Sequence, residues 1–140
     1  MNDIEIAKKV LREEKQKIVV VKEGQVVFKS IDRGIKPMYY LAQNMKEEVK
    51  ASSLADRVIG KGAAIICGYL GVSELHAELI SQNAISILDK EGIAYEFKEK
   101  CEYIKNRDRT DYCPIEKRSL DTEDPEVLLS RIEVFLKSLK

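Results

Sequence analysis

Residues Ser52–Gly62 have the sequence SSLADRVIGKG and run directly into the apolar segment Ala63–Cys67. Two hydroxyl side chains before an apolar stretch are typical of a capped helix start, which predicts one helix over Leu54–Leu70. Two glycines would interrupt this helix, and each costs about 0.5–1 kcal/mol relative to alanine. The pair therefore indicates a close approach by another backbone or by a ligand.

The rest of the chain alternates helical and strand patterns. A hairpin is predicted from the β-branched runs Ile18–Val21 and Val26–Phe28 around Glu23-Gly24. Further helices are predicted after Asn2, over Tyr39–Val49, after Ser81, from Cys113-Pro114 and from Asp124-Pro125, and further strands around Leu75–Leu79 and Ile93–Phe97. This order predicts a single α/β domain over residues 1–140, with a three-layer α-β-α arrangement and a mixed sheet covered by helices on both faces.

Composition narrows the classes of partner. The 140 residues contain 24 basic and 24 acidic side chains, so neither a nucleic acid nor an anionic membrane is expected to be held by bulk charge. No signal peptide is recognised, and the longest uncharged run, Gly62–Ser73, is too short to cross a bilayer. The cysteines Cys67, Cys101 and Cys113 are odd in number, which favours reduced thiols and a cytoplasmic location.

The predicted helix start is the first candidate ligand site. Unpaired N–H groups and the helix dipole favour an anion there. Arg57 and Lys61 are four residues apart and would present two cations on one face, with Asp56 and Gly60 on the adjoining stripe. The alternative is structural, with Ser53 serving only as a cap and the glycines letting the helix press against the sheet.

A second polar cluster contains Asn106, Arg107 and Arg109. Arginine can bind carboxylate or phosphate with two hydrogen bonds, but Asp108 and Asp111 cancel the local charge, which suits a solvated loop equally well.

Four residues are candidates for catalysis, namely Asp56, Lys61, Cys113 and Glu116. A helix N-terminus would stabilise a Cys113 thiolate, whereas Glu116 one turn later would oppose it. No two of the four have a spacing that fixes a mechanism, so catalysis itself stays open.

The blocks Ala55–Lys61, Asn106-Arg107 and Cys113–Glu116 together resemble a small prokaryotic family of unknown function with a cytidine-deaminase-like fold. The resemblance extends to about Leu120. It places the motif positions of the family at Ser53, Asp56, Arg57, Gly60, Lys61, Ser81, Asn106, Arg107, Cys113, Pro114 and Glu116. The family tends to have alanine at the position of Gly62. The resemblance implies a ligand pocket at the starts of two helices, and it assigns no catalytic roles.

A zinc deaminase is disfavoured. The segment His76-Ala77-Glu78 matches the His-Ala-Glu motif by letter, but it lies in a strand pattern and no Pro-Cys-x-x-Cys follows. We therefore expect no metal and no cofactor. The leading hypothesis is a deaminase-like domain that binds a small anionic or nucleotide-like ligand through Ser53, Asp56, Arg57, Gly60, Lys61, Ser81, Asn106 and Arg107. The alternative is a non-catalytic sensor or interaction module, and pairing of two copies through a strand edge or the last helix is left open.

Overall fold

The chain folds as a mixed sheet between two layers of helices. The computed structural model describes residues 1–139. The elements are α1 (Asp3–Glu13), β1 (Ile18–Lys22), β2 (Gln25–Ser30), α2 (Lys36–Asn44), α3 (Lys46–Val49), β3 (Ser53–Ile59), α4 (Lys61–Leu70), β4 (Glu74–Ser81), α5 (Gln82–Glu91), β5 (Ala94–Cys101), α6 (Pro114–Ser119) and α7 (Pro125–Ser138). No helix among these residues is long and apolar enough to cross a bilayer.

The five strands lie in the order β2-β1-β3-β4-β5. β1 pairs antiparallel with both β2 and β3, whereas β3, β4 and β5 run parallel. The parallel strands are joined by α4 and α5, because parallel neighbours need a crossover connection. The predicted three-layer α/β fold with a mixed sheet is confirmed.

Apolar side chains fill both faces of the sheet. On one face, Ala7 and Leu11 of α1 pack against Val19, Val21 and Ala55. The other face carries the larger core, in which side chains of α2, α4, α5 and α7 meet the sheet. β1 is buried over Ile18–Val21, as expected for a strand covered on both sides.

The local signals for caps and turns are confirmed. Asn2, Ser81, Cys113 and Asp124 each cap the helix that follows them. Gly71 and Gly92 end α4 and α5 in the left-handed conformation, and Glu23-Gly24 forms the hairpin turn.

The predicted helix over Leu54–Leu70 is wrong in its first half. Ser53–Ile59 is the central strand β3, and the helix begins only at Lys61 with Gly60 as its N-cap. β3 pairs with β1 on one side and β4 on the other, and Ser53, Leu54 and Ala55 are buried. A strand buried on both faces shows no clear period of two, so its residues can be mistaken for the first turns of the helix that follows.

The predicted helix over Tyr39–Val49 is also corrected. It is broken at Met45 into α2 and α3. Tyr40 of α2 is 49% exposed and stacks on Phe28 at 5.8 Å between ring centroids.

Arg57 joins β3 to the end of α1. Its Nε donates to the carbonyl oxygen of Gln16 at 2.9 Å, and its guanidinium nitrogens donate to Leu11 O at 2.6 Å and to Glu78 Oε1 at 2.8 Å. The guanidinium therefore binds the Leu11 carbonyl in the last turn of α1, which has no partner within the helix, and the Gln16 carbonyl just beyond it. All three interactions lie on the α1 face of the sheet.

Replacing Arg57 with lysine should destabilise the protein by about 2–3 kcal/mol, because one ammonium group cannot reach three acceptors in this planar arrangement. Urea unfolding monitored by circular dichroism measures the change in free energy. Arg12→Lys is the matched control, because Arg12 is exposed on α1 and makes no ion pair within residues 1–139. Equal stability of the two variants would contradict the assigned role of Arg57.

Candidate functional site

An open cleft of about 640 Å³ lies beside the C-terminal part of β3. It is bordered by residues 17–18, the segment 32–38 before and within α2, Asp56–Val58, the glycines and Ala63 at the start of α4, residues 104–107 and 113–116, and the end of α7. Most of its walls are apolar, including Ile18, Met38, Ile115 and Phe135. A cleft of this size is typical of small-molecule sites.

Asp56 is the half-buried carboxyl group of the cleft. It lies on the β3 face opposite to Arg57, since successive side chains of a strand alternate. Burial raises the pKa of Asp56 to about 7, although hydrogen bonds from the backbone N–H groups of Val58 and Arg57 partly oppose this. Asp56 makes no ion pair within residues 1–139. Its carboxyl group can therefore gain or lose a proton near neutral pH.

Cationic side chains surround the cleft. Those bordering it, besides Arg57, are Lys17, Arg33, Lys36, Lys105 and Arg107. None of them makes an ion pair within residues 1–139. Among residues 1–139, Asp32 is the one exposed carboxylate that borders the cleft. The cleft is therefore a place where an anion would be attracted.

Glu116 borders the cleft but has a structural role. It is buried, and its Oε1 accepts a hydrogen bond from the Lys61 backbone N–H at 2.7 Å. Glu116 thus caps α4 from a different helix, where a carboxylate also suits the helix dipole. Burial raises the pKa of Glu116, while the N–H groups of Lys61 and Ile104 lower it. Because this carboxylate is already engaged, it is a poor candidate for a catalytic base.

The expected pocket at two open helix starts is not present. Glu116 occupies the start of α4, and the buried Ser81 caps α5 through a bond from Ala84 N to its Oγ at 3.1 Å. Ser53 is buried at the beginning of β3 rather than capping a helix. The Lys61 ammonium donates to Leu120 O at 3.2 Å and does not line the cleft. Arg57 and Lys61 therefore do not form the predicted pair of cations on a helix face.

Other predicted site residues do converge on the cleft. Asp56, Gly60, Asn106, Arg107, Cys113 and Glu116 all border it. The Asn106 side chain holds its own loop, because Oδ1 accepts from Thr110 N at 3.1 Å. Arg107 is exposed, and its guanidinium makes no ion pair within residues 1–139.

Cys113 is not an activated thiol. Its Sγ accepts from Glu116 N at 3.4 Å as the cap of α6, and burial raises the pKa of the thiol. Burial also raises the pKa of Cys67 and of Cys101.

The His76 motif lies in a strand, as its pattern predicted. His76 is buried in β4, with Nδ1 3.4 Å from Glu96 Oε1, and burial lowers its pKa. Within residues 1–139, no group of three or more His, Cys, Asp and Glu side chains could hold a metal ion.

Sequence reasoning missed the contribution of the segment 32–38, which brings Arg33 and Lys36 to the cleft. Gly34 and Pro37 are typical of a loop, but no local signal shows which face of the sheet such a loop covers. The end of α7, with Phe135 and Leu136, also borders the cleft, whereas the sequence predicted only a helix that begins at Asp124-Pro125.

Two glycines at the start of α4 are explained by close contacts. A Cβ atom at Gly60 would overlap Glu116 Oε1 and lie 2.9 Å from Ile104 Cγ1. At Gly62 it would lie 2.7 Å from Ile115 Cγ2. These glycines let α6 approach α4 closely, whereas the structural alternative predicted from the sequence was a helix pressed against the sheet.

We expect Gly60→Ala to destabilise the protein by about 2–3 kcal/mol, because the buried Glu116 carboxylate cannot move away without leaving Lys61 N–H unpaired. The matched control is Gly68→Ala in α4, where the added Cβ meets only the flexible, exposed Glu91 side chain at 3.0 Å. Because alanine has a higher helix propensity than glycine, the free energy of unfolding of Gly68→Ala should be unchanged or higher than that of the wild type. Chemical denaturation of both variants measures the difference, and a harmless Gly60→Ala would refute the cap by Glu116.

Asp56→Asn should stabilise the protein at pH 8 and leave it unchanged near pH 4. The folded Asp56 carboxyl keeps its proton up to a pKa of about 7, whereas the unfolded one loses it near 4. The unfolded state binds fewer protons between these values, so wild-type stability falls as pH rises through this window and then levels off. The expected gain at pH 8 is about 2 kcal/mol, after allowance for the solvent in the open cleft. Free energies of unfolding across pH 4–9 test this, and a difference between the two proteins that does not change with pH would contradict it.

Comparison with known proteins places the chain in a family. A search of curated proteins gave no match. A crystal structure of a DUF1893 family protein (TM1506) from Thermotoga maritima is similar, with a TM-score of 0.87 and 26% sequence identity over 95% of this chain and 89% of that one. The family model for TM1506, a domain of unknown function (DUF1893), matches residues 6–136. The chain therefore belongs to the DUF1893 family.

Proposed function

We propose that the cleft binds a small molecule with an anionic group and an apolar portion, and that Asp56 exchanges a proton with it. The observation that carries this proposal is the isolated Asp56 carboxyl, with a pKa of about 7, inside a cleft bordered by unpaired cations. A perturbed carboxyl group in a cleft is typical of functional sites.

The lining indicates the class of ligand. Lys17, Arg33, Lys36, Lys105 and Arg107 suit a phosphate or a carboxylate. The apolar walls suit a ring or a short hydrocarbon portion. A nucleotide, a sugar phosphate or a small organic acid fits this description.

Asp56 supplies the chemistry that the cleft can perform. A group with a pKa near neutrality is present in both protonation states at physiological pH, so it can act as acid or base. An anionic ligand close to Asp56 would raise its pKa further and favour the protonated form. Binding should therefore take up protons, and affinity should fall as pH rises above about 7.

We also propose that the fold is related to that of cytidine deaminases. The support is the hairpin followed by two strand–helix–strand crossovers, with the cleft beside the start of the first crossover helix. The proposed relation concerns the fold alone, and the proposed function includes no step on a metal ion.

A thermal-shift screen of nucleoside monophosphates, sugar phosphates and small carboxylic acids tests the function. A ligand at 100 times its dissociation constant adds about 2.7 kcal/mol of stability, which raises Tm by about 6–10 °C in a chain of this size. Arg107→Gln should weaken binding of the compound found by about tenfold. Asp56→Asn should bind with little dependence on pH.

Two control variants test whether the compound binds in the cleft. Arg12→Gln removes the same charge from α1, and Lys61→Ala removes a cation that lies next to the cleft without lining it. Both should bind like the wild type. If both weaken binding as much as Arg107→Gln, the cleft is not the site. If no compound stabilises the protein, the alternative of a non-catalytic interaction module is favoured instead.

A further inference from the structure

β5 is an open edge of the sheet. It pairs with β4 on one side and with no strand of residues 1–139 on the other. It is eight residues long, its pairing with β4 has no register shift, and most of its side chains are exposed. The opposite edge, β2, has an irregularity against β1, a feature that blunts edges. β5 is therefore the edge best suited to pair with another strand.

We propose that β5 pairs antiparallel with β5 of a second copy of this chain, with Phe97 opposite Phe97 across a two-fold axis. The sheet would then continue through the dimer. A two-fold axis brings the same patch of both copies together, so the patch must complement itself. Hydrogen-bond direction, charge and aromatic packing all support this register.

Hydrogen-bond direction limits the registers. Ala94 N donates to Ser73 O at 3.4 Å, so the even-numbered residues of β5 direct their backbone groups towards β4. Tyr95, Phe97 and Glu99 therefore direct their N–H and C=O groups outward. An antiparallel partner exchanges bonds only between outward-directed residues that face each other. Pairing Phe97 with Phe97 and Tyr95 with Glu99 meets this condition.

Charge selects among the remaining registers. With Phe97 opposite Phe97, Glu96 lies opposite Lys98 of the second copy, and symmetry repeats this pair. The neighbouring symmetric registers would place Glu96 opposite Glu96, or Lys98 opposite Lys98. Such pairs are not hydrogen-bonded, so their side chains approach most closely and like charges repel.

The aromatic side chains add an apolar contact on the α5 face. Tyr95 and Phe97 stack with ring centroids 6.5 Å apart, and Phe97 is 40% exposed. Pairing would bring the two Phe97 rings together and bury them. On the α1 face, Glu96 already contacts Lys8 at 2.8 Å, so Lys98 of the second copy would extend an existing ion pair.

A charge-swap experiment tests both the dimer and its register. Sedimentation equilibrium of the full chain should give a dimer with a dissociation constant of about 1–100 μM, since two strand edges bury less area than a standard interface. Glu96→Lys and Lys98→Glu should each weaken it by about tenfold or more, because each places like charges opposite each other twice. The double variant Glu96→Lys/Lys98→Glu should recover the dimer.

The controls separate pairing from folding. Glu48→Lys makes the same charge change on α3 and should leave the dissociation constant unchanged. Circular dichroism of each variant at low concentration verifies that the monomer is folded. The proposal is overturned if the wild type stays monomeric up to about 1 mM, if the single variants dimerise normally, or if the double variant fails to recover.

Discussion

The hydrogen bond from the Lys61 backbone to the buried Glu116 carboxylate connects the parts of the structure that form the cleft. Glu116 lies in α6, 55 residues after Lys61, the first residue of the helix that it caps. The contact holds the junction between β3 and α4 against the segment that follows β5. Only glycine fits at position 60, because any Cβ there would overlap the carboxylate. The position of Asp56 four residues earlier is thereby fixed relative to residues 104–107 on the far side of the cleft.

The side chains of β3 alternate between the two faces of the sheet, so Arg57 and Asp56 lie in different environments. Arg57 faces α1, where carbonyl groups and Glu78 satisfy its donors. Asp56 faces the cleft, where two backbone amides give it only partial compensation for burial. Asp56 and Arg57 therefore form no ion pair, because a strand directs neighbouring side chains to opposite faces, and the charge of Arg57 lowers the pKa of Asp56 less than the backbone hydrogen bonds do. This arrangement leaves Asp56 with a pKa near neutrality.

Local signals predicted much of the fold, and contacts distant in sequence determined the rest. Asn2, Ser81 and Asp124 cap helices through neighbours two or three residues away, so their roles could be inferred from the sequence. β3 was mistaken for a helix because its burial on both faces comes from β1, β4 and the helices, none of which is local. The cap by Glu116 could not be predicted, since it joins two helices that only the tertiary fold brings together. The predicted site residues Asp56 and Gly60 therefore border the cleft, although Asp56 lies in a strand and not in the predicted helix.

The motif residues differ in whether the fold itself explains them. Ser53 and Ser81 are buried, Arg57 and Glu116 have their partners within the chain, and Gly60 makes room for Glu116. Folding alone accounts for these five positions. Asp56 is different, because a half-buried carboxyl without an ion pair opposes folding above the pKa of the unfolded side chain. Asparagine could accept the same hydrogen bond from Val58 without that penalty. A residue that weakens the fold while lining a cleft bordered by cations is best explained by a ligand or a proton transfer that requires it.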